Sequence, residues 1–131
     1  MSGRVLCVDY GTVRIGLAVS DPLGTTAQPL DVVSEIEEVV ERARELDVSE
    51  IVIGLPLRTS GRAGPEAEAV KAFAREVEKA SGIAVHLWDE RLSSAQAERV
   101  MGGSARKRRG SVDKVAAAIV LQSYLDARQR R

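Results

Sequence analysis

Short apolar runs separated by turn residues fill the first quarter of the chain, a pattern typical of β-strands rather than helices. The runs cover residues 4–9, 15–20 and 28–33, and the turns between them are Tyr10-Gly11-Thr12 and Asp21-Pro22-Leu23-Gly24. Because these connections are short, the pattern predicts three consecutive antiparallel strands.

From residue 34 onward the apolar spacing becomes helical. Ser34 and Glu37 form the sequence pattern of a capping box, and apolar residues follow at helical spacing as far as Leu46. Pro65 starts a second predicted helix, which ends at Gly82. The other predicted helices are a short one from Ser93 to Gly102 and a long one from Val112 to about Arg128.

Two further apolar runs, residues 50–55 and 83–88, lie between the predicted helices. Strands that are reached through right-handed helical crossovers pair in parallel. The order β-β-β-α-β-α-β-α therefore predicts an α/β domain with one mixed five-stranded sheet and helices on both faces, which is the ribonuclease-H-like order. The 131 residues suffice for a single such domain, and we see no linker or internal repeat that would divide residues 1–131.

The composition is that of a folded globular chain, with 44% hydrophobic and 29% charged residues. No apolar run reaches the roughly 18 residues of a membrane-spanning helix, and the first residues lack the features of a signal peptide. We therefore expect a cytoplasmic protein without a membrane partner. The single cysteine, Cys7, excludes an internal disulfide and a zinc cluster. Its place in an apolar run favours a small buried side chain over a reactive thiol.

The charges are balanced in number but unevenly distributed. Lys and Arg total 19, as do Asp and Glu, yet residues 31–50 hold eight acidic against two basic residues, and residues 99–131 hold nine basic against two acidic ones. A run of four basic residues, Arg106, Lys107, Arg108 and Arg109, precedes the last predicted helix. This asymmetry indicates a basic working surface that binds nucleic-acid phosphates; a solvated charged face is the alternative.

Three carboxylates lie at the ends of predicted elements. Asp9 ends the first strand, Glu90 follows the strand that ends at Trp88, and Asp113 lies in the first turn of the last helix. Open α/β sheets build their sites at such strand ends, and converging carboxylate oxygens suit Mg²⁺ or Mn²⁺. We expect these three residues to be both metal ligands and catalytic residues. Two such ions about 4 Å apart would suit phosphodiester hydrolysis.

Each carboxylate has an alternative interpretation. Asp9 could simply begin the turn that follows it, and Asp113 could favour the positive end of the helix dipole. The residues four, seven and eleven positions beyond Asp113 are uncharged, however, so that this helical face can pack on the sheet with the carboxylate at its edge. The neighbour of Glu90, Asp89, is a rival ligand. His86, the only histidine, could act as a general base, although its position favours an ordinary strand residue.

The turn after the first strand is a candidate phosphate site. Backbone N–H groups of Gly11 and Thr12, the Thr12 hydroxyl and Arg14 lie close to Asp9 along the chain. The Asp-x-Gly-Thr pattern also occurs in sugar kinases and actin-like ATPases, but these build a nucleotide cleft between two such domains. A single domain therefore disfavours a phosphotransferase.

Several blocks of the sequence resemble those of a known family. The blocks that carry the resemblance run through almost the whole chain: Val8-Asp9-Tyr10-Gly11-Thr12 with Arg14-Ile15-Gly16-Leu17-Ala18-Val19-Ser20-Asp21, Ile53-Gly54-Leu55-Pro56-Leu57, Asp89-Glu90-Arg91-Leu92-Ser93, and Val112-Asp113 leading into Ala116-Ala117 and Ile119-Val120-Leu121-Gln122-Ser123-Tyr124-Leu125. They are similar to the YqgF/RuvX family. One departure is Arg58-Thr59-Ser60-Gly61-Arg62, where relatives usually carry Asn-Met-Asp/Asn-Gly.

The resemblance implies a ribonuclease-H-like nuclease, described as a processing enzyme for the 5′ end of pre-16S ribosomal RNA and formerly as a Holliday junction resolvase. It places the family's acidic positions on Asp9, Glu90 and Asp113 and is the main reason to prefer Glu90 over Asp89. The expected partner is nucleic acid, which is either structured RNA or branched DNA. The RNA could be free or part of a pre-ribosomal particle. A non-catalytic RNA- or ribosome-binding module is the alternative, and a homodimer is compatible with either.

Overall fold

The computed structural model describes residues 3–58, 60–93 and 109–129. Its strands are β1 (Val5–Tyr10), β2 (Ile15–Ser20), β3 (Ala27–Val33), β4 (Glu50–Leu55) and β5 (Val85–Asp89). Its helices are α1 (Ile36–Glu45), α2 (Pro65–Ser81) and α3 (Arg109–Gln129), and a single 3₁₀ turn, Glu90–Ser93, follows β5.

The five strands form one mixed sheet in the order β3-β2-β1-β4-β5. The pairs β1/β2 and β2/β3 are antiparallel, whereas β1/β4 and β4/β5 are parallel. This confirms the predicted fold class: three meandering strands followed by two that are reached through helices. The three parallel strands, β1, β4 and β5, therefore have their carboxyl ends at the same edge of the sheet.

Alternating residues of the strands build a core on each face of the sheet, as the pleat requires. On one face Leu6 and Val8 pack with the buried residues of α1 and α2. On the other face Val5 and Cys7 pack with Ala117 and other residues of α3. Cys7 is fully buried and free, as predicted, and burial raises the pKa of its thiol.

The aromatic residues contribute to these two cores rather than to a stacking surface. Tyr10 stacks on Phe73 of α2 with ring centroids 4.2 Å apart. Trp88 meets Tyr124 of α3 edge to face at 5.4 Å, and its indole N–H donates to the Ser123 hydroxyl at 3.2 Å. Among these four residues, little aromatic surface is left over for stacking on nucleic-acid bases.

The start of α1 differs from the prediction by one residue. The capping pair is Glu35 and Glu38, not Ser34 and Glu37: the Glu38 carboxylate accepts the backbone N–H groups of Glu35 and Ser34, both at 3.1 Å. The Glu38 carboxylate thus holds the chain at the entry to the helix, and its charge in the first turn favours the positive end of the helix dipole. The end of α2 is as predicted, with Gly82 in the left-handed conformation.

The last helix begins three residues earlier than predicted, at Arg109. Two expectations are therefore wrong. Arg109 is the first helical residue rather than part of a loop, and Asp113 lies beyond the first turn, where the dipole offers a carboxylate little stabilisation. The predicted helix from Ser93 to Gly102 falls almost wholly outside the described residues. Within the described part of the chain, no helix is long and apolar enough to cross a bilayer.

Candidate active site

The candidate site lies where β1 ends between its two neighbours. Asp9 is the penultimate residue of this central strand and follows Val5 and Cys7 on the sheet face that α3 covers. Burial, the Glu90 carboxylate, a hydrogen bond between the two groups and the charge of Asp113 together raise the pKa of Asp9 to about 8. A largely buried carboxyl group with two acidic neighbours is costly to keep ionised without a cation.

Two strand glycines make room for the groups around Asp9. Gly16 of β2 is the register partner of Asp9. Gly54 of β4 lies one step beyond the pairing of Val8 with Ile53, on the other side of Asp9. A glycine inside a strand often marks a close approach of another group, and both positions here fit that rule.

At Gly16 the approaching group is the backbone of α3. A Cβ atom at this position would lie 2.2 Å from the Asp113 carbonyl oxygen and 2.5 Å from its carbonyl carbon. The helix therefore touches the sheet at the residue that carries the third candidate carboxylate. The sequence pattern predicted Asp113 at the edge of the helix face that packs on the sheet. The close contact with Gly16 fixes Asp113 at that edge.

We expect Gly16→Ala to destabilise the fold, because the added methyl meets helix backbone rather than a movable side chain. Overpacking of this kind costs about 1–3 kcal/mol, and chemical denaturation would measure the loss. Gly54→Ala is the matched control, since the atoms nearest to its methyl belong to the Glu90 side chain rather than to backbone. Equal stability of Gly16→Ala and wild type would contradict the close contact.

At Gly54 the approaching group is the Glu90 carboxylate. A Cβ atom on Gly54 would lie 2.6 Å from Glu90 Oε1. Burial is the main cause of the raised pKa of Glu90, and the charge of Asp89 adds to it. A hydrogen bond from the protonated Asp9 carboxyl favours the ionised form of Glu90. Asp9 and Glu90 thus meet across Gly54.

Asp89 faces a different partner. Its carboxylate accepts two bonds from Arg91 Nε, at 3.0 Å each, and one from Arg91 Nη2 at 2.6 Å. The Arg91 guanidinium holds the pKa of Asp89 below its usual range. Because Asp89 is engaged in this ion pair while Glu90 contacts Asp9, the geometry favours Glu90 as the functional member of the pair.

Asp113 is paired with Arg14. Arg14 Nε donates to Asp113 Oδ2 at 2.8 Å, and both side chains remain partly exposed. The charge of Asp113 reaches Asp9 and contributes to its raised pKa. In the described part of the chain no three histidine, cysteine or acidic side chains are gathered into a ready-made metal cage. The structure therefore joins Asp9 to Glu90 and places Asp113 nearby, turned toward Arg14.

The candidate phosphate-binding residues are distributed unevenly. Gly11 and Thr12 lie in the tight turn between β1 and β2, where a Cβ on Gly11 would come within 2.5 Å of the Arg14 carbonyl oxygen. Arg14 is at the site through its bond to Asp113. Arg109 begins α3, whereas Arg106, Lys107 and Arg108 lie outside the described residues.

His86 is an ordinary strand residue, as predicted. Its Nε2 lies 3.4 Å from a Glu50 carboxylate oxygen, and its side chain is about half exposed. Glu50 also accepts hydrogen bonds from Tyr124 and Arg128 of α3. Since Glu50 starts β4, this cluster lies at the opposite edge of the sheet from Asp9, and His86 has no role in the candidate site.

Sequence reasoning missed the contributions of Gly16, Gly54 and Arg91. The two glycines were visible as isolated glycines in β-branched runs, which is a recognised sign of close approach. Arg91 had no comparable signal, because its role depends on the fold that brings Asp89 and the loop after β4 together.

The chain is similar to a large group of known proteins. The profile of the RuvX family, described as Holliday junction resolvase, matches residues 3–127. A protein of Syntrophus aciditrophicus is 47% identical over 95% of this chain and 89% of its own length. One of Moorella thermoacetica is 44% identical over 94% of each chain. Both carry the name "Putative pre-16S rRNA nuclease".

Solved structures show the same fold. RuvC of Thermus thermophilus, in complex with a Holliday junction substrate, superposes with a TM-score of 0.62 over 97% of this chain and 96% of its own. The sequence identity is 17%, so the likeness establishes the ribonuclease-H-like fold and nothing finer.

Proposed function

The chain belongs to the RuvX family and is a nuclease, and we propose that it is a divalent-metal-dependent enzyme that processes the 5′ end of pre-16S ribosomal RNA. The relatives with 44–47% identity are named as pre-16S ribosomal RNA nucleases, which favours this substrate. The proposal places the protein in the cytoplasm, acting on precursor RNA free or within a pre-ribosomal particle. A homodimer is compatible with it.

One observation carries the proposal: the contact between the Asp9 and Glu90 carboxyl groups, with Asp113 close enough to influence Asp9. Three acidic groups at one sheet edge repel each other and a phosphodiester alike. The three carboxylates can therefore act on a phosphodiester only if a positively charged group binds between them and the phosphate. Arg14 supplies some of that charge, but it contacts Asp113 rather than the Asp9–Glu90 pair.

The donor set fits a hard divalent cation such as Mg²⁺ or Mn²⁺, because all three candidate ligands are carboxylates. Ionisation would break the hydrogen bond that Asp9 and Glu90 share, and a cation between the two carboxylates would then offset their repulsion. We propose Asp9, Glu90 and Asp113 as the ligands of one or two such ions. A bound divalent ion supplies the positive charge that activates water and stabilises charge on the phosphate in hydrolysis.

The chain's own residues would then bind and orient the nucleic acid. Gly11 and Thr12, in the turn after Asp9, would offer backbone N–H groups and a hydroxyl to a phosphate, and Arg14 would exchange its contact with Asp113 for one. We propose that Arg106, Lys107, Arg108 and Arg109 bind the phosphate backbone further along the strand. Their place in sequence just before Asp113 supports this assignment.

Removal of the metal should abolish activity. We expect cleavage with Mg²⁺ or Mn²⁺, none in excess chelator, and little with Ca²⁺, whose looser coordination holds the reacting groups less strictly. Restoring Mg²⁺ to the chelated protein is the control for irreversible damage. Undiminished cleavage after exhaustive chelation would overturn the metal assignment.

The substrate assignment is tested by offering purified protein a 5′-extended 16S precursor RNA and a four-way DNA junction under the same metal conditions. The expected result is cleavage of the RNA near the mature 5′ end and no resolution of the junction. Preferential junction resolution would favour the second candidate, to which the family description points. Tight RNA binding without cleavage would instead indicate a non-catalytic module.

A further inference from the structure

The segment after β4 folds into a small hairpin, here called the arginine hairpin, made of residues 57–58 and 60–63. Leu57 and Ala63 form an antiparallel bridge. The Arg58 N–H donates to the Arg62 carbonyl at 3.0 Å, and the Gly61 N–H donates to the Arg58 carbonyl at 2.7 Å. Gly61 has a φ of +88°, which glycine adopts without strain. These hydrogen bonds join the two sides of the hairpin.

The hairpin places two like charges opposite each other. With Leu57 opposite Ala63, the next pair inward is Arg58 and Arg62, and both side chains are exposed. Like charges in directly opposed positions destabilise a strand pair. Neither arginine forms an ion pair with a carboxylate of the described residues. The Arg58 guanidinium and the Glu66 carboxylate both lie close to Gly64, since a Cβ there would come within 2.7 Å of Arg58 Nε and 2.8 Å of Glu66 Oε2. One neighbouring carboxylate does not balance two opposed arginines, whereas a phosphate bound by the hairpin would be attracted by both.

Arg91 links the hairpin to the candidate site. Its guanidinium is held by Asp89, and its Nη1 donates to the Arg58 carbonyl at 3.4 Å. It also lies about 3.7 Å from where a Cβ of Gly61 would be. The residue before it is Glu90, whose carboxylate contacts Asp9. The arginine hairpin therefore rests on the turn that carries a candidate catalytic residue.

We infer that the arginine hairpin is a phosphate-binding element that holds the nucleic-acid backbone beside Glu90, with Arg58 and Arg62 as the contacting residues and Arg91 as the residue that positions them. This inference rests on the proposed nuclease function. Arg14 lies on the β2 side of Asp9 and the hairpin on the β4 side. A strand held by both would cross the Asp9–Glu90 pair, so the hairpin orients the substrate rather than taking part in bond breaking.

The test is the double variant Arg58→Ala/Arg62→Ala, with binding of a fluorescein-labelled single-stranded RNA measured in chelator over a salt series. We expect affinity to fall by about tenfold. The log–log salt slope should become shallower by about 1.4 for the single strand, or about 1.8 for a duplex of the same sequence, because two phosphate contacts are lost. In cleavage, KM should rise while kcat stays within about twofold.

Two further variants complete the design. Arg75→Ala/Lys79→Ala removes the same charge from exposed positions of α2, and we expect it to bind like wild type. Arg58→Lys/Arg62→Lys should keep most of the salt slope. Unchanged affinity and slope in the Arg58→Ala/Arg62→Ala protein, or an equal loss in the α2 control, would overturn the inference.

The binding measurement also separates this inference from the proposed function. Hairpin-dependent binding by a protein that cleaves nothing would refute the nuclease assignment and leave the hairpin assignment standing. Cleavage that is insensitive to the hairpin variant, with unchanged binding, would do the reverse.

Discussion

Replacing Asp9 with asparagine is expected to reduce cleavage on the order of a thousandfold or more while the protein remains folded. Asp9 is central in the candidate site: it contacts Glu90 and lies within electrostatic reach of Asp113. Asparagine keeps the shape of the side chain but removes the negative charge that a divalent cation needs. Multiple-turnover cleavage with Mg²⁺, measured beside the melting temperature, checks both halves of the prediction.

Stability should change in the opposite direction from activity. The folded-state pKa of Asp9, about 8, lies above that of an unfolded chain, near 4. The folded state therefore binds the proton more strongly, and wild-type stability falls as pH rises from about 4 to 8. Asparagine cannot ionise and can donate to Glu90 as a protonated Asp9 does. In chelator, Asp9→Asn should melt at or above the wild-type temperature at pH 7, and the two should converge near pH 4.

Two outcomes would count against the interpretation of Asp9. Near-wild-type cleavage by Asp9→Asn would show that Asp9 is not a metal ligand. A strongly lowered melting temperature at pH 7 would show that its charge stabilises the fold, as a turn residue would. Gly54→Ala is a useful comparison, since it perturbs Glu90 without removing a charge.

The arrangement of strands and helices could be predicted because each element has its own periodic pattern. The short turns after Tyr10 and Asp21 require antiparallel neighbours, and the helical crossovers require parallel ones. The ends of the helices were predicted less accurately than their order. The start of α1 shifted by one residue, to Ile36, because Glu35 rather than Ser34 occupies the N-cap and the Glu38 carboxylate accepts the N–H groups before it. The start of α3 shifted by three because Arg109 to Ser111 carry no apolar periodicity.

The candidate site was predictable in composition but not in contacts. Strand ends placed Asp9 and Glu90 at one edge, and the family resemblance supported the choice. The pairing of Asp113 with Arg14, and of Asp89 with Arg91, depends on side-chain directions that come from packing rather than from local sequence. The same is true of the arginine hairpin, which in sequence is only a departure from the family's usual loop.

Glu90 and Asp89 are adjacent in sequence but should differ sharply when replaced. We expect Glu90→Gln to lower kcat on the order of a thousandfold, since it removes a carboxylate that contacts Asp9 and lies against Gly54. Asp89→Asn removes a partly exposed ion pair with Arg91, and such pairs contribute about 0–1 kcal/mol. Its kcat should stay within a few-fold of wild type. Its KM should rise, because Arg91 would hold the hairpin less firmly.

Parallel kinetics of the two variants, with both proteins shown to be folded by circular dichroism, would decide the assignment. The two neighbours occupy one turn and each loses one negative charge, so a general electrostatic effect would change both variants alike. Only a specific role predicts loss of kcat in Glu90→Gln together with a KM effect in Asp89→Asn. The reverse order would mean that Asp89 is the functional carboxylate and that its bond to Arg91 is released when substrate binds.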